Sequence, residues 1–488
     1  MNPLTLQQLL PQWELPANVA HINVQHWHVD SRAIQQGDGF IGLVGTALDG
    51  RQYVAQAIAA GAVVALVEAD TFTLTEEQGV PCVHVPALRK HLGELLQAHY
   101  GSAAALPVVA VTGTNGKTTV TGFVQQLLGH LGQPWGLLGT LGACFGGQCE
   151  YLGLTTADAA SVHRYWAAFR AQGAQGLVLE ASSHALDQNR LAGLPVNVAV
   201  WTNIGRDHLD YHGTLDAYIE AKKHLFKRAE IKTAVLPADD ELLRNFAAEL
   251  AVPVMAFGRH SSSDVRYETV EFLPEGVAFT LVHQQEKWAI SLPLYGAFNI
   301  DNVLAAVAAL VAVGYQLSEL VPHLEKLIPV PGRMEQVRNE QGPTVIIDFA
   351  HTADALAATL EALAEHFTGK IHCVFGCGGD RDAGKRPLMA QAAEQGADYL
   401  WLTSDNPRSE SPEKIIADMQ AGLTQAANAQ VLIDRAEAIR AAISAAEHND
   451  VVLIAGKGHE EEQIIGSERI PFSDKAVAAK VLATWRAA

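Results

Sequence analysis

Lysine and arginine are scarce in this 488-residue chain: 34 of them stand against 53 aspartates and glutamates, leaving a formal net charge of −19. A nucleic-acid partner is therefore not expected, because phosphate backbones recruit a basic face. Any phosphate-bearing ligand must meet its cations at one concentrated site, since the overall field repels it. Cysteine is rare too. Five are present (Cys82, Cys144, Cys149, Cys373, Cys377) without paired zinc spacing, so reduced buried or loop thiols are expected. Runs of about 18 apolar residues are lacking, and no membrane span is expected. The start "MNPLTLQQLLPQWELP" has no basic stretch ahead of an apolar one. It does not read as a signal peptide, and a cytoplasmic location is expected.

What is present is core-forming residue. The chain is 49% hydrophobic, enough to fold without disulfide or metal staples. At roughly 150 residues per domain its length predicts about three domains. Residues 1–104 hold short apolar runs ("GFIGLVG", "AVVALVEA", "PCVHVPA") around an Ala-rich helical stretch and read as a small α/β unit. The small-residue segment "HYGSAAALP" reads as a linker. Over residues 105–332 the continuous apolar runs "VVAVTG", "GLVLEAS", "VNVAVWTNI" and "KTAVLPADD" are separated by helix-like stretches. That is the pattern of a parallel sheet buried on both faces. The alternating segment "EFLPEGVAFTLVHQQEKWAISLPLYG" predicts antiparallel strands decorating it. A Pro/Gly cluster in "LIPVPGRME" marks a second boundary and a candidate hinge. Residues 333–488 repeat the alternation with "TVIIDFA", "KIHCVFGCGG", "DYLWLTSDN", "QVLIDR" and "DVVLIAGKG", a second doubly wound unit.

The chemistry begins at "VVAVTGTNGKTT". The common phosphate loop has Gly, four residues, then Gly-Lys-Ser/Thr; here Val111 occupies the first Gly position. The physics still holds for Gly113, Thr114, Asn115, Gly116, Lys117, Thr118 and Thr119. Glycines let N–H groups turn inward as an anion nest, and the following helix presents its positive end. Lys117 suits β/γ-phosphates and the Thr118 hydroxyl suits Mg²⁺. Two polar clusters follow two strands on the same edge: Glu180, Ser182, Ser183, His184, Gln188 and Arg190, then Asn203, Asp207, His208 and Asp210. Open α/β sheets gather ligands at strand carboxyl ends. Lys222 and Lys223 sit on a predicted helix and point about 100° apart, so at most one faces that edge; composition alone would leave both solvated. In the last block three loops follow three strands, carrying Asp380, Arg381, Asp382, Lys385 and Arg386, then Asp405, Asn406, Pro407 and Arg408, then Gly456, Lys457, His459 and Glu460. The arginines suit a carboxylate, which a guanidinium grips bidentately.

Taken together, "TGTNGKTT", "EASSHALDQNR", "NIGRDHLDYHG", "GAFNIDN", "VPGRME", "DFAHTADAL" and "GCGGDRDAGKRPLM", in this order over nearly the whole chain, resemble the Mur ligases. These are ATP-dependent amide-forming enzymes of peptidoglycan precursor synthesis. The stretch "DNPR" is similar to the signature of the branch that adds meso-diaminopimelate to UDP-N-acetylmuramoyl-L-alanyl-D-glutamate, and its arginine disfavours the lysine-adding branch. The resemblance implies a small N-terminal α/β domain, a central P-loop ATPase-type parallel sheet and a C-terminal Rossmann-like domain. It implies that Val29, Ser31, Thr46, Ala47 and Leu48 lie near the UDP end. Leu154, Thr155, Thr156, Ser182, Gln188 and Arg190 would contact the muramoyl dipeptide. ATP would lie on Gly113 to Thr119, with Asn299, Asn302, Arg333, Asp348 and His351 on the nucleotide side. Mg²⁺ would be held by Thr118, Glu180 and His208, together with Lys222 carbamylated by carbon dioxide. Imidazole is an unusual ligand for so hard a cation and rests on the resemblance alone. Arg381, Asp405, Asn406, Pro407, Arg408, Gly456 and Glu460 would hold diaminopimelate. A monomer is expected. Phe349 and Ala353 replace the family's usual Tyr and Pro; Leu154 and Ala157 stand where Asn and Pro are common. A folylpolyglutamate synthase-like ligase and a non-catalytic nucleotide switch remain alternatives. The first leaves "DNPR" and the N-terminal unit without a purpose, the second the metal ligands and charged rim.

The implied reaction phosphorylates the D-glutamate γ-carboxylate, and the diaminopimelate amine then displaces phosphate. Lys117 and Mg²⁺ screen the repulsion between ATP and the carboxylate. Arg408 selects diaminopimelate over lysine. An unpaired buried partner costs about 3–5 kcal/mol, roughly two to three decades.

Overall fold

A computed structural model of the chain describes residues 4–45, 48–101, 106–337, 342–425 and 429–485. Three sheets follow one another along it. In the first, Trp27–His28, Gly39–Gly42, Val64–Ala69 and Val80–Pro86 run parallel, and Thr73–Glu77 closes the edge antiparallel. The three expected apolar runs form its centre. The edge strand has no such run, because its side chains are mostly solvent-exposed. Ala159 and Ala160 of the next unit belong to this first unit's core. Gly93 lies so close to Gly193 that a Cβ on it would sit 2.5 Å from the Gly193 nitrogen. The two units are thus seated backbone to backbone. Residues 102–105 of the expected linker fall outside the described residues.

The central sheet has eleven strands. Its middle is parallel, in the order Val265–Leu273, Val254–Gly258, Thr233–Pro237, Val198–Trp201, Val108–Thr112, Gly176–Glu180 and Trp135–Gly139. Val108–Thr112, Gly176–Glu180 and Val198–Trp201 are buried throughout, which is why they read as unbroken apolar runs. Helices Lys117–His130 and Ala297–Val313 cover one face. Ala159–Ala171 and Leu215–Phe226 cover the other. The alternating segment forms Gly276–His283 and Glu286–Leu292, extending the sheet antiparallel. At the opposite edge Gly142–Phe145 and Gln148–Glu150 make a hairpin that no sequence pattern flagged.

That hairpin corrects the cysteine expectation. Cys144 and Cys149 face one another in register and are joined as a disulfide. A spacing of five residues carries no such message until the turn sets the register. Cys82, Cys373 and Cys377 are free and buried, as expected.

The third sheet runs Glu335–Val337, Thr344–Asp348, Val451–Ala455, Ile371–Phe375, Tyr399–Leu402 and Ala429–Val431, parallel except at its first edge. A separate hairpin, Glu462–Ile465 with Glu468–Pro471, stands beside its carboxyl ends. Among the described residues no helix is long and apolar enough to cross a membrane.

Candidate active site

Val108–Thr112 delivers its last residue into the glycine turn, and the 14-residue helix from Lys117 follows. Gly113 (φ +145°) and Gly116 (φ +83°) have backbone angles that side chains resist. Each also lies against a neighbour: a Cβ would collide with Thr202 Oγ1 at Gly113 and with Asn302 Oδ1 at Gly116. No side chain caps the helix, so its leading N–H groups are left for an anion. The loop is held from outside. The Asn115 nitrogen donates to Asn203 Oδ1 (2.9 Å), and the Gly205 nitrogen to Thr114 Oγ1 (2.8 Å). Thr114 Oγ1 also shares a 3.0 Å hydrogen bond with the Tyr218 hydroxyl. Lys117 Nζ curls back onto the carbonyls of Gly113 and Thr114, 2.8 Å from each. Burial pulls its pKa below lysine's ordinary value.

Beside this turn lies a set of hard oxygen donors. Glu180, 1% exposed, accepts from the Thr140 nitrogen (2.7 Å), Thr140 Oγ1 (3.1 Å) and Thr118 Oγ1 (3.1 Å). Thr118 Oγ1 in turn accepts from Arg333 Nη2 at 3.1 Å. No ammonium or guanidinium is within ion-pair distance of Glu180 among the described residues. A buried carboxylate among hydroxyls with no such partner fits a dication. His208 is placed less tightly: its Nε2 lies 3.4 Å from Asp207 Oδ2 and its side chain is 43% exposed. Among the described residues no three His, Cys, Asp or Glu side chains converge as a metal site. A metal at Glu180 and His208 would need a donor of another kind.

Lys222 is 1% exposed, which overturns the solvated reading for it, whereas Lys223 pairs with Glu220 at the surface. Lys222 Nζ donates to the Gly113 carbonyl (2.9 Å) and lies 4.3 Å from the centre of the Tyr218 ring. Burial, with Lys117 adding repulsion, holds its pKa well below the ordinary lysine value.

The dipeptide candidates converge next to Glu180. Thr155 Oγ1 lies 3.3 Å from Thr140 Oγ1, and Thr156 Oγ1 donates to the Glu180 carbonyl (2.8 Å) and lies 3.2 Å from Ser182 Oγ. Arg190 donates to the Thr156 carbonyl (2.7 Å) and to Gln188 Oε1 (2.7 Å). Leu154 is half exposed above them. In the first unit Ser31 is buried and donates to Gln56 Oε1 (3.2 Å), Val29 is half-buried and Leu48 exposed. Thr46 and Ala47 fall outside the described residues. Arg89, which no motif singled out, donates to the carbonyls of Val44 (2.7 Å) and Gln188 (3.3 Å), tying the first unit to this cluster. Thr140 was missed as well; its only signal was the polar end of the apolar run "WGLLGT".

On the nucleotide side Asn299 and Asn302 are buried and linked, Asn302 Nδ2 donating to Asn299 Oδ1 (3.1 Å). Asp348 is buried and accepts from the nitrogens of Met334 (2.8 Å) and Ala350 (2.9 Å). Arg333 stacks on Phe349, 4.4 Å from its ring centre. The His351 carbonyl accepts from Lys385 Nζ (2.9 Å).

Hydrogen bonds join the three loops of the third rim. Arg408 donates from Nη1 to the Gly379 carbonyl (2.7 Å) and is half-buried. The Asn406 nitrogen donates to Asp405 Oδ1 (2.6 Å), and Asn406 Nδ2 to Glu460 Oε2 (2.9 Å). Pro407 and Gly456 complete the two loops, Gly456 pressed so close to Asp405 Oδ2 that a Cβ would sit at 2.8 Å. Arg381 is exposed and flanks the same glycine as Arg408: a Cβ on Gly378 would sit 3.8 Å from Arg381 Cγ and 3.0 Å from Arg408 Nη1.

Phosphate loop, buried acid and charged third-sheet rim together define an ATP-dependent ligase of the Mur type, and the chain belongs to the Mur ligase family. Three family descriptions match it: the Mur ligase middle domain over residues 111–310, the Mur ligase glutamate ligase domain over 332–458 and the Mur ligase family catalytic domain over 23–100. Relatives named UDP-N-acetylmuramoyl-L-alanyl-D-glutamate–2,6-diaminopimelate ligase include that of Alkalilimnicola ehrlichii, 44% identical over 98% of this chain and 99% of its own. The Pseudomonas aeruginosa protein of that name is 40% identical over 99% of both. A solved structure of a ligase of the same name aligns at 36% identity and TM-score 0.69 over 99% of both chains. MurF of Thermotoga maritima, solved with ADP, shares the fold at 19% identity and TM-score 0.64, covering 94% of this chain and 96% of its own.

Proposed function

We propose that this chain joins meso-diaminopimelate to UDP-N-acetylmuramoyl-L-alanyl-D-glutamate at the expense of ATP, through an acyl phosphate on the D-glutamate γ-carboxylate. The observation that carries this reading is the Arg333–Thr118 hydrogen bond (3.1 Å). It ties the segment entering the third sheet to the phosphate loop, so that the amino-acid rim and the phosphate chemistry share one cleft. The three-part division at residues 104 and 332 belongs to the same proposal. So do a monomeric state, a cytoplasmic location and closure of the third unit on the second about the Pro331–Gly332 segment.

The roles follow the geometry. The loop N–H groups and the helix end at Lys117 hold the phosphates. Lys117 exchanges its two carbonyl partners for the transferring phosphoryl group, where its charge is worth more. Thr118, Glu180, His208 and a carbamylated Lys222 would hold Mg²⁺. That ion, when bound, neutralises charge on the phosphates and the attacking carboxylate. Asn299, Arg333, Asp348 and His351 line the nucleotide. Thr155, Thr156, Ser182, Gln188 and Arg190 orient the dipeptide so that its γ-carboxylate faces the phosphoryl group. Val29, Ser31 and Leu48, with Thr46 and Ala47, serve the UDP end. Arg381, Asp405, Asn406, Pro407, Arg408, Gly456 and Glu460 serve diaminopimelate.

Phosphate release from ATP is expected only when the UDP-muramoyl dipeptide and diaminopimelate are both present. Release with the dipeptide and lysine alone would overturn the amino-acid assignment. Release with neither would point to a nucleotide switch. The buried, unpaired ammonium of Lys222 supports a second expectation. Lys222→Ala loses turnover, and added short carboxylates such as formate or acetate restore part of it by replacing the carbamate. Activity that survives the substitution unaided would remove the carbamate from the reading.

A further inference from the structure

Lys457 lies in a loop rich in acids, and it is wholly buried. Its neighbours put it there. Gly456 (φ +112°) and Gly458 (φ +55°) flank it in backbone conformations that favour glycine. Both pack with no room for a side chain, Gly456 against Asp405 and Gly458 against the Gly332 carbonyl and Phe349, with Cβ positions 2.8–2.9 Å from those groups. The loop is thus wedged between the Asp405 loop and the hinge, and Lys457 turns inward.

Its ammonium sorts two polar groups. Nζ donates to Asn406 Oδ1 (3.0 Å) and to Glu460 Oε2 (2.8 Å). Asn406 Oδ1 also accepts from the Ile464 nitrogen (3.0 Å), which leaves its Nδ2 to donate to the same Glu460 Oε2 (2.9 Å). One carboxylate oxygen therefore carries two donors, and Glu460, whose side chain is 30% exposed, has its Oε1 outside both of these bonds. The Arg408 guanidinium lies on the next loop.

We propose that Lys457 is a positioning residue. It fixes Glu460 and Asn406 so that Glu460 Oε1 receives the ammonium at the far end of the incoming diamino acid, while Arg408 takes the far carboxylate. This rests on the function proposed above. The chemistry distinguishes it from a general scaffold role: a carboxylate anchored on one oxygen offers the other at a fixed point, and a substrate lacking the far amine has no use for it. Lys457 also offsets the charge of Glu460, so that acid opposes the far carboxylate less.

The test is steady-state phosphate release with two amino acids. These are meso-diaminopimelate and 2-aminopimelate, which keeps both carboxylates and the reacting amine but lacks the far amine. For Lys457→Met, KM for diaminopimelate should rise about 30- to 100-fold while KM for ATP and for the UDP-muramoyl dipeptide stays within threefold of the parent. The kcat/KM for 2-aminopimelate, already low in the parent, should change less than threefold. Lys457→Arg should be as impaired as Lys457→Met, because a guanidinium does not fit the enclosed ammonium site. Glu460→Gln should show the same dependence on the far amine, and combining it with Lys457→Met should add little. An equal penalty on both amino acids, or a parallel loss of nucleotide affinity, would overturn the inference and leave Lys457 a structural residue. A parent enzyme that releases no phosphate with diaminopimelate would instead overturn the proposed function itself.

Discussion

Lys117→Ala is expected to lower turnover by at least roughly 10³-fold, the upper end of what one preorganised charge or donor contributes at a transition state. Three features set that size. The ammonium sits at the start of a capless, glycine-led helix. It is half-buried, so solvent weakens its field only in part. Its present partners are two neutral carbonyls at 2.8 Å, which compete weakly with a phosphoryl oxygen. Lys117→Arg should not restore activity, because the guanidinium cannot enter the space between those carbonyls. The measurement is single-turnover phosphate release at saturating ATP, with the thermal midpoint taken alongside, since the two carbonyl contacts also brace the loop. Amide formation within tenfold of the parent would remove Lys117 from the chemistry.

Much of this was open to reading from the chain. Strands such as Val108–Thr112 and Val451–Ala455 announce themselves because both faces are buried and no polar residue interrupts them. The polar residues that follow such strands end up on one edge because parallel sheets place all their carboxyl ends together. What stayed hidden was decided by tertiary packing. Helical spacing shows that Lys222 and Lys223 diverge, but only the Tyr218 ring and the Gly113 carbonyl determine which is swallowed. Sequence places Lys457 on the charged rim, but only the packing of two glycines against the Asp405 loop and the Gly332 segment shows that it is enclosed. The Cys144–Cys149 pair depends on hairpin register, and Thr140 on a strand, Trp135–Gly139, too glycine-rich to stand out. The Arg333–Thr118 bond spans 215 residues, a separation at which local pattern says nothing.

Arg408→Ala is the second large effect, and it should separate recognition from phosphoryl chemistry. Arg408 holds a left-handed backbone (φ +51°), a conformation costing a non-glycine residue on the order of 1 kcal/mol or more. Two contacts with the neighbouring hairpin impose it: the Arg408 nitrogen donates to the Ile464 carbonyl (3.1 Å), and the Gly466 nitrogen to the Arg408 carbonyl (2.7 Å). The Gly379 carbonyl then aims one arm of the guanidinium and leaves the remaining N–H groups for a carboxylate. Because the side chain is half-buried and keeps that carbonyl, an empty pocket costs less than the 3–5 kcal/mol of a fully enclosed pair. Close to 3 kcal/mol, or roughly 100-fold in kcat/KM for diaminopimelate, is expected. The preference for diaminopimelate over lysine should fall by the same factor, since lysine never used the guanidinium. The KM for ATP should stay within threefold, because the residues proposed for the nucleotide are Arg333 and the loop at Gly113–Thr119, not this rim. Arg408→Lys should recover part of the loss, a point charge replacing a two-pronged donor. An Arg408→Ala variant that loses ATP affinity and diaminopimelate use in equal measure would place the residue in the closure of the cleft rather than in the choice of amino acid.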